Sequence, residues 1–264
     1  MTPVVLAFLL TLIAGLATGL GGLIAVAVKG PATHLLAGAL GLSAGVMVYV
    51  SFVEMLPVGA EMLQEGGRGE RAAMALAVTG FFGGMVVTAL IDRLVPVAVP
   101  RTPQNSVAGS RAPSDAALLR MGIVTAGALA LHNFPEGFAV FLTGLQDVAI
   151  AIPVVVAIAV HNVPEGIAVA VPITQATGSR RRGLAVSFLA GLAEPAGALI
   201  GYLVLRPFIT PDVLGINLAA VGGIMVFISF HQLLPAAHRY GHHRWTLGGL
   251  LLGMALMAGS LLVL

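Results

Sequence analysis

Eight stretches of this 264-residue chain are apolar enough and long enough to cross a lipid bilayer, and little is left between them. At roughly 20 apolar residues per crossing, they fall at about 3–28, 34–57, 72–95, 117–143, 147–174, 184–206, 213–237 and 246–263. Composition agrees: the chain is 58% hydrophobic and 9% charged with a mean hydropathy of +1.01, outside the balance of a soluble domain. Backbone N–H and C=O groups in lipid must be satisfied within the segment, so spans of this length are expected as helices rather than barrel strands. The sequence predicts an all-α integral membrane protein in which residues 1–264 form a single transmembrane domain.

The first run, MTPVVLAFLL onward, carries no Lys or Arg at its start and continues past the length of a signal-peptide core, so it is expected as the first membrane helix. Cysteine is absent, which excludes a disulfide framework and thiolate ligands. The net charge of +2 and high pI do not point to nucleic acid, because the basic residues sit in short connections beside spans. They orient the chain instead, since Lys and Arg near span ends stay cytoplasmic. With the N-terminus outside, the cytoplasmic connections hold Lys29, Arg93, Arg101, Arg111, Arg120, Arg180, Arg181, Arg182, Arg239 and Arg244, ten of the thirteen basic residues. Only Arg68, Arg71 and Arg206 fall on the other side, and eight spans then leave both termini extracytoplasmic.

An internal repeat runs through the chain. GVMVYVSFVEMLP at 45–57 aligns with GIMVFISFHQLLP at 223–235, and AGLATGLGGLI at 14–24 with AGLAEPAGALI at 190–200, each pair sharing seven identities at offsets of 178 and 176 residues. Spans 1–3 and 6–8 read as copies of one unit, and the topology makes them antiparallel. Such an inverted repeat around a central antiparallel pair, spans 4–5, is a frequent construction of secondary transporters.

The central pair carries the chemistry. HNFPEG at 132–137 and HNVPEG at 161–166 each interrupt an apolar run near its middle. On a helix, residues four apart share a face, which puts His132 with Glu136 and His161 with Glu165. Pro135 and Pro164 cannot donate to the carbonyls of Leu131 and Val160. An ionisable group at mid-bilayer costs about 2.5–3.5 kcal/mol on insertion scales, and a divalent cation compensates such groups: imidazole and carboxylate are ordinary ligands of zinc, iron, manganese and cobalt. Asn133 and Asn162 add oxygen donors for a second, adjacent ion, with the glutamates able to bridge. Glu194, directly before Pro195, is a third mid-membrane carboxylate and joins the candidate ligands. A lone intramembrane His or Asn is often interhelical glue; duplication at matched depth favours a metal site.

The paired HNFPEG and HNVPEG, the eight spans with outward termini, AGLAEP in span 6 and SFHQLLP in span 7 resemble the ZIP (Zrt/Irt-like protein) family of divalent metal transporters, close to bacterial zinc-uptake permeases. The resemblance covers nearly the whole chain. It implies a binuclear site, with His132, Glu136, His161 and Glu165 at one position and Asn133, Asn162 and Glu194 with the two bridging glutamates at the other. It also implies uptake into the cytoplasm across a bacterial inner membrane, a homodimer in membrane lipid, and spans 1, 4, 5 and 6 moving against a frame of 2, 3, 7 and 8. Two departures stand out. His231-Gln232 occupies the place of a His-Glu pair in span 7, and the loop at 96–116 has no histidine. Glu54, His231 and Gln232 are expected on the inlet or outlet path, while His238, His242 and His243 read first as a solvated basic loop before span 8, with metal handling as the alternative.

The metal is expected as substrate rather than cofactor, with zinc first and iron, manganese, cobalt and cadmium as further candidates, because mixed His, Glu and Asn ligands discriminate modestly. No GxxxxGK[ST] phosphate loop is present, so a gradient must supply the energy. An intramembrane zinc metalloenzyme is the competing class, but its HExxH pattern is not met: here the fourth position on is Glu, and no spare base or nucleophile is evident. A metal-sensing receptor, the third class, would bind without flux.

Overall fold

A computed structural model of the protein describes residues 2–27, 33–94, 115–146, 148–205 and 210–263. Lys29, Arg101, Arg111, Asp147, Arg206 and the loop at 96–114 lie outside the described residues. Among the described residues every element is helical. We number them α1 (Pro3–Ala27), α2 (Thr33–Glu65), α3 (Glu70–Leu94), α4 (Asp115–Gln146), α5 (Val148–Thr177), α6 (Arg180–Gly191 and Ala193–Ile200, continued by Gly201–Leu205), α7 (Pro211–Arg239) and α8 (His243–Val263). Seven of these are long and apolar enough to cross a membrane; α4 is not among the seven, although it runs for 32 residues. The chain is a multi-pass membrane protein with seven to eight spanning helices.

Several helices outrun the apolar segments that announce them. α2 continues from the expected end at 57 to Glu65, taking Glu61 and Glu65 into its last turns, and α6 begins at Arg180 rather than 184. Hydropathy marks where the lipid ends, whereas capping marks where the helix ends. Ser179 Oγ accepts from the Arg182 N–H at 3.4 Å, and Thr210 Oγ1 accepts from the Val213 N–H at 3.2 Å with Pro211 at the first helical position.

Among the described residues π-helical turns interrupt the spans at Ser51–Met55, Gly201–Leu205 and Ser229–Leu233. The first and third occupy the same place in the two aligned SF-containing stretches. In each, a serine hydroxyl donates to the carbonyl four residues back, Ser51 to Met47 at 2.6 Å and Ser229 to Met225 at 2.8 Å. In each, a proline, Pro57 or Pro235, follows within the next turn. A proline pushes on the carbonyl four residues before it, and a widened turn relieves that crowding.

Helix packing sorts the molecule into two groups. α1, α4, α5 and α6 pack chiefly on one another, as do α2, α3, α7 and α8. α2 and α8 approach through glycine: a Cβ on Gly41 or Gly45 would strike the carbonyls of Thr246 or Leu250, and one on Gly249 or Gly253 those of Gly38 or Leu42. These GxxxG spacings serve contacts within the chain. On the outer face, Leu9, Ile13, Leu16, Leu20 and Leu23 of α1 form an exposed stripe at helical spacing, as a lipid-facing surface requires.

Candidate metal centre

The two HNxPEG elements meet in the interior. His132, Asn133, Glu136, His161, Asn162, Glu165 and Glu194 are all at most 2% exposed. Because α4 and α5 are antiparallel, each histidine faces the glutamate of the other helix. His132 Nε2 lies 3.2 Å from Glu165 Oε1 and His161 Nε2 3.1 Å from Glu136 Oε1, whereas His132 Nε2 to Glu136 Oε2, within α4, is 4.0 Å. Two ligands on one tetrahedral ion with bonds of about 2.0–2.1 Å stand about 3.3–3.4 Å apart, so both crossed pairs have the spacing of neighbouring ligands. The four side chains form two such pairs, and among the described residues no three His, Asp or Glu side chains are arrayed as a ready-made cage.

The ring nitrogens of His132 and His161 and the carboxylate oxygens of Glu136 and Glu165 have no hydrogen-bond partner among the described residues. An unmet buried polar group costs about 1–3 kcal/mol, more when charged, so this cluster, joined only by the crossed His–Glu contacts, favours a polar guest. The asparagines are held by one end only. Asn133 donates to the Ala190 carbonyl at 3.5 Å and Asn162 to the Ala14 carbonyl at 2.9 Å and to Glu194 Oε1, while both Oδ1 atoms are without a partner. The amide nitrogens are used for anchoring, which leaves the oxygens as donors to a cation. Glu194 reaches this point because α6 breaks at Leu192, between Gly191 and Ala193.

The motif glycines, which the sequence reading left unused, explain how α1 and α6 come this close. A Cβ on Gly137 would collide with the backbone of Glu194 in α6, and one on Gly166 with the Thr18 carbonyl in α1. Thr18 and Glu194 occupy matching places in the repeat, as do Gly137 and Gly166 in the two motifs, so one arrangement occurs twice. Thr18 is fully buried with an unpartnered hydroxyl, and Ser187 Oγ donates to the Thr18 carbonyl at 2.7 Å.

A cavity of about 130 Å³ leads away from Glu136 and His161. It passes Glu54 and Ile158 and reaches Met62, Thr143 and Val154, near the end where α2 and α4 finish and α5 begins. Glu54 thus lines the approach to the centre. His231 and Gln232 lie apart from it, on the other side. His231 Nε2 is 3.2 Å from Asp92 Oδ2, Gln232 Nε2 donates to Asp92 Oδ1 at 3.5 Å, and Thr125 Oγ1 donates to Gln232 Oε1 at 3.4 Å. Thr125 precedes His132 by seven residues, about 10 Å along a helix. Asp92 went unnoticed in the sequence, although it is the single acidic residue of span 3 after Glu70.

A bundle of membrane helices enclosing a duplicated cluster of cation-ligating side chains, reached by a cavity from one end, has the build of a membrane transporter for small cations. The profile of the ZIP Zinc transporter family matches residues 98–261. Over nearly its full length the chain is similar to the Zinc transporter ZupT of Corynebacterium glutamicum, at 57% identity across 97% of this chain and 98% of that protein. It is similar also to the ZupT proteins of Chlorobium luteolum, at 52% across 98% and 97%, and Streptococcus mutans, at 49% across 97% of each. The chain belongs to the ZIP zinc transporter family, and is a transporter rather than an enzyme.

Proposed function

We propose that the protein carries zinc, and with lower preference related divalent metals, into the cytoplasm through the centre built by the two HNxPEG elements. The observation that carries this reading is the meeting of two crossed His–Glu pairs, buried and without further hydrogen-bond partners among the described residues, at the floor of a cavity. His132, Glu136, His161 and Glu165 hold one ion; Asn133, Asn162 and Glu194, with the glutamates bridging, hold a second. The metal is the cargo, and residues 1–264 act as one transport domain. Zinc as the first substrate follows from the similarity to the ZupT zinc transporters.

Alternating access of an inverted repeat is the mechanism we assign. Three pairings support it: the π turns at Ser51–Met55 and Ser229–Leu233, the packing of Gly137 on Glu194 and Gly166 on Thr18, and the mutual approach of Gly15 and Gly191, each of whose Cβ would strike the other's carbonyl. The α1, α4, α5, α6 group then moves against the α2, α3, α7, α8 frame. By the basic-residue count the cavity opens outward, both termini are extracytoplasmic, and Asp92, His231 and Gln232 lie on the outlet side. A bacterial inner membrane and a homodimer in lipid complete the reading. The experiment is zinc flux into proteoliposomes: His132→Ala and Glu165→Gln should each abolish flux in protein that still elutes as a folded species. Flux retained in both variants would refute the central route.

A further inference from the structure

We propose a second, exchangeable transition-metal site at the end of the bundle where α2 and α8 begin, built on His238 and His243. Gly241 (φ 75°) makes the turn between α7 and α8, a left-handed backbone that favours glycine, with its N–H donating to the His238 carbonyl at 3.0 Å. The reversal brings His243 back onto His238, with ring centroids 5.0 Å apart and planes inclined by 48°. Two imidazoles on one tetrahedral ion, with metal–nitrogen bonds of about 2.0–2.1 Å, place their ring centroids about 5.2 Å apart. The observed 5.0 Å is within reach of that spacing, so the two rings can serve one metal without the chain moving.

The two rings are also prepared for the task. His238 Nδ1 lies 2.7 Å from the Leu234 carbonyl, so Nδ1 carries the proton and donates it there, leaving the Nε2 lone pair free. A backbone acceptor on the far nitrogen is the ordinary means of fixing a ligating histidine's tautomer. The turn that leads into His243, the first residue of α8, is pinned to the start of α2. His242 Nε2 lies 2.9 Å from Thr33 Oγ1, the His242 ring meets His34 edge-on at 6.1 Å, and His34 packs on Trp245 at 5.0 Å. His238 and His243 are both exposed, so the remaining positions on the ion are open to water or an arriving ligand. Arg239 and Arg244 flank the pair and oppose a cation, although solvent screens exposed charges. The result is a site that exchanges its metal readily, suited to holding an ion at the bundle end rather than locking it in place. The geometry stands without the central reading; only the choice of zinc as probe rests on it.

The test uses the full-length protein in lipid nanodiscs with zinc. In a His132→Ala, His161→Ala background, zinc should still bind, and adding His238→Gln and His243→Gln should weaken that residual binding by about tenfold or more. In otherwise unaltered protein, zinc should protect His238 and His243 from acylation by diethyl pyrocarbonate, read by mass spectrometry, which needs no variant to fold. Residual binding indifferent to the two Gln substitutions, or equal acylation with and without zinc, overturns the proposal. Binding that survives the central double substitution unchanged and disappears with the His238 and His243 substitutions would support this site and sink the central one instead.

Discussion

Glu194 and Thr18 hold aligned places in the sequence repeat, yet one is a carboxylate and the other a hydroxyl, so of α1 and α6 only α6 adds negative charge to that of Glu136 and Glu165. The carboxylate is fully buried and receives the Asn162 amide on one oxygen, while the other has no partner. Glu194→Gln keeps the shape and the acceptor but removes the charge. Zinc titrations monitored by bound-metal stoichiometry should show one affinity weakened by about 10- to 100-fold and the other nearly retained; equal weakening of both would argue against Glu194 serving a distinct second ion. The motif glycines make a sharper steric case. A methyl on Gly166 has the Thr18 carbonyl in its way and no flexible side chain to yield, so Gly166→Ala should destabilise by about 1–3 kcal/mol or more, seen as a lowered detergent melting temperature. A variant melting with the parent would mean that α1 can shift away from α5 without penalty.

Between α2 and α8, the four glycines at 41, 45, 249 and 253 replace a layer of side chains by backbone contact. Gly45→Leu therefore cannot be absorbed by repacking: the new side chain points at the Leu250 carbonyl and must part the helices. Loss of the folded species by size-exclusion chromatography is expected, and an unaltered profile would show that this approach is dispensable. GxxxG in an apolar run marks close helix approach in lipid but not which helices approach, so the pairing of α2 with α8 comes from the structure. The helical, multi-pass character of the chain and the two HNxPEG interruptions were legible because apolar length and polar interruption are local properties. Helix ends were less so, since Glu61 and Glu65 continue α2 beyond the apolar run. The π turns were invisible, because a single-residue change in winding leaves composition untouched. Asp92 was missed because its partner, His231, lies 139 residues away, and nothing local to IDRL announces it.

Across the whole molecule, the two helix groups touch unequally at their ends. On the side assigned outward, the cavity separates them down to Glu136 and His161. On the other side polar bridges join them: Thr125 of α4 to Gln232 of α7, and Tyr240, just beyond α7, whose hydroxyl donates to Gln175 Oε1 of α5 at 3.1 Å. Burial pushes the Tyr240 phenol up to about 12, so it remains a protonated donor throughout the physiological range, and this bridge does not titrate. An alternating mechanism must break these bridges to release metal. Tyr240→Phe removes one hydrogen bond while preserving the ring, which at a net 0.5–1.5 kcal/mol should shift the balance toward the inward-open arrangement by about two- to tenfold. The chain contains no cysteine, so Thr125→Cys, a buried position behind the bridge, gives a single reporter without further engineering. In inside-out vesicles a membrane-impermeant maleimide should label that cysteine about two- to tenfold faster when Tyr240→Phe is present. Equal labelling rates would show that the Tyr240 contact does not hold the inner end shut, and that closure rests on the apolar packing between the two groups.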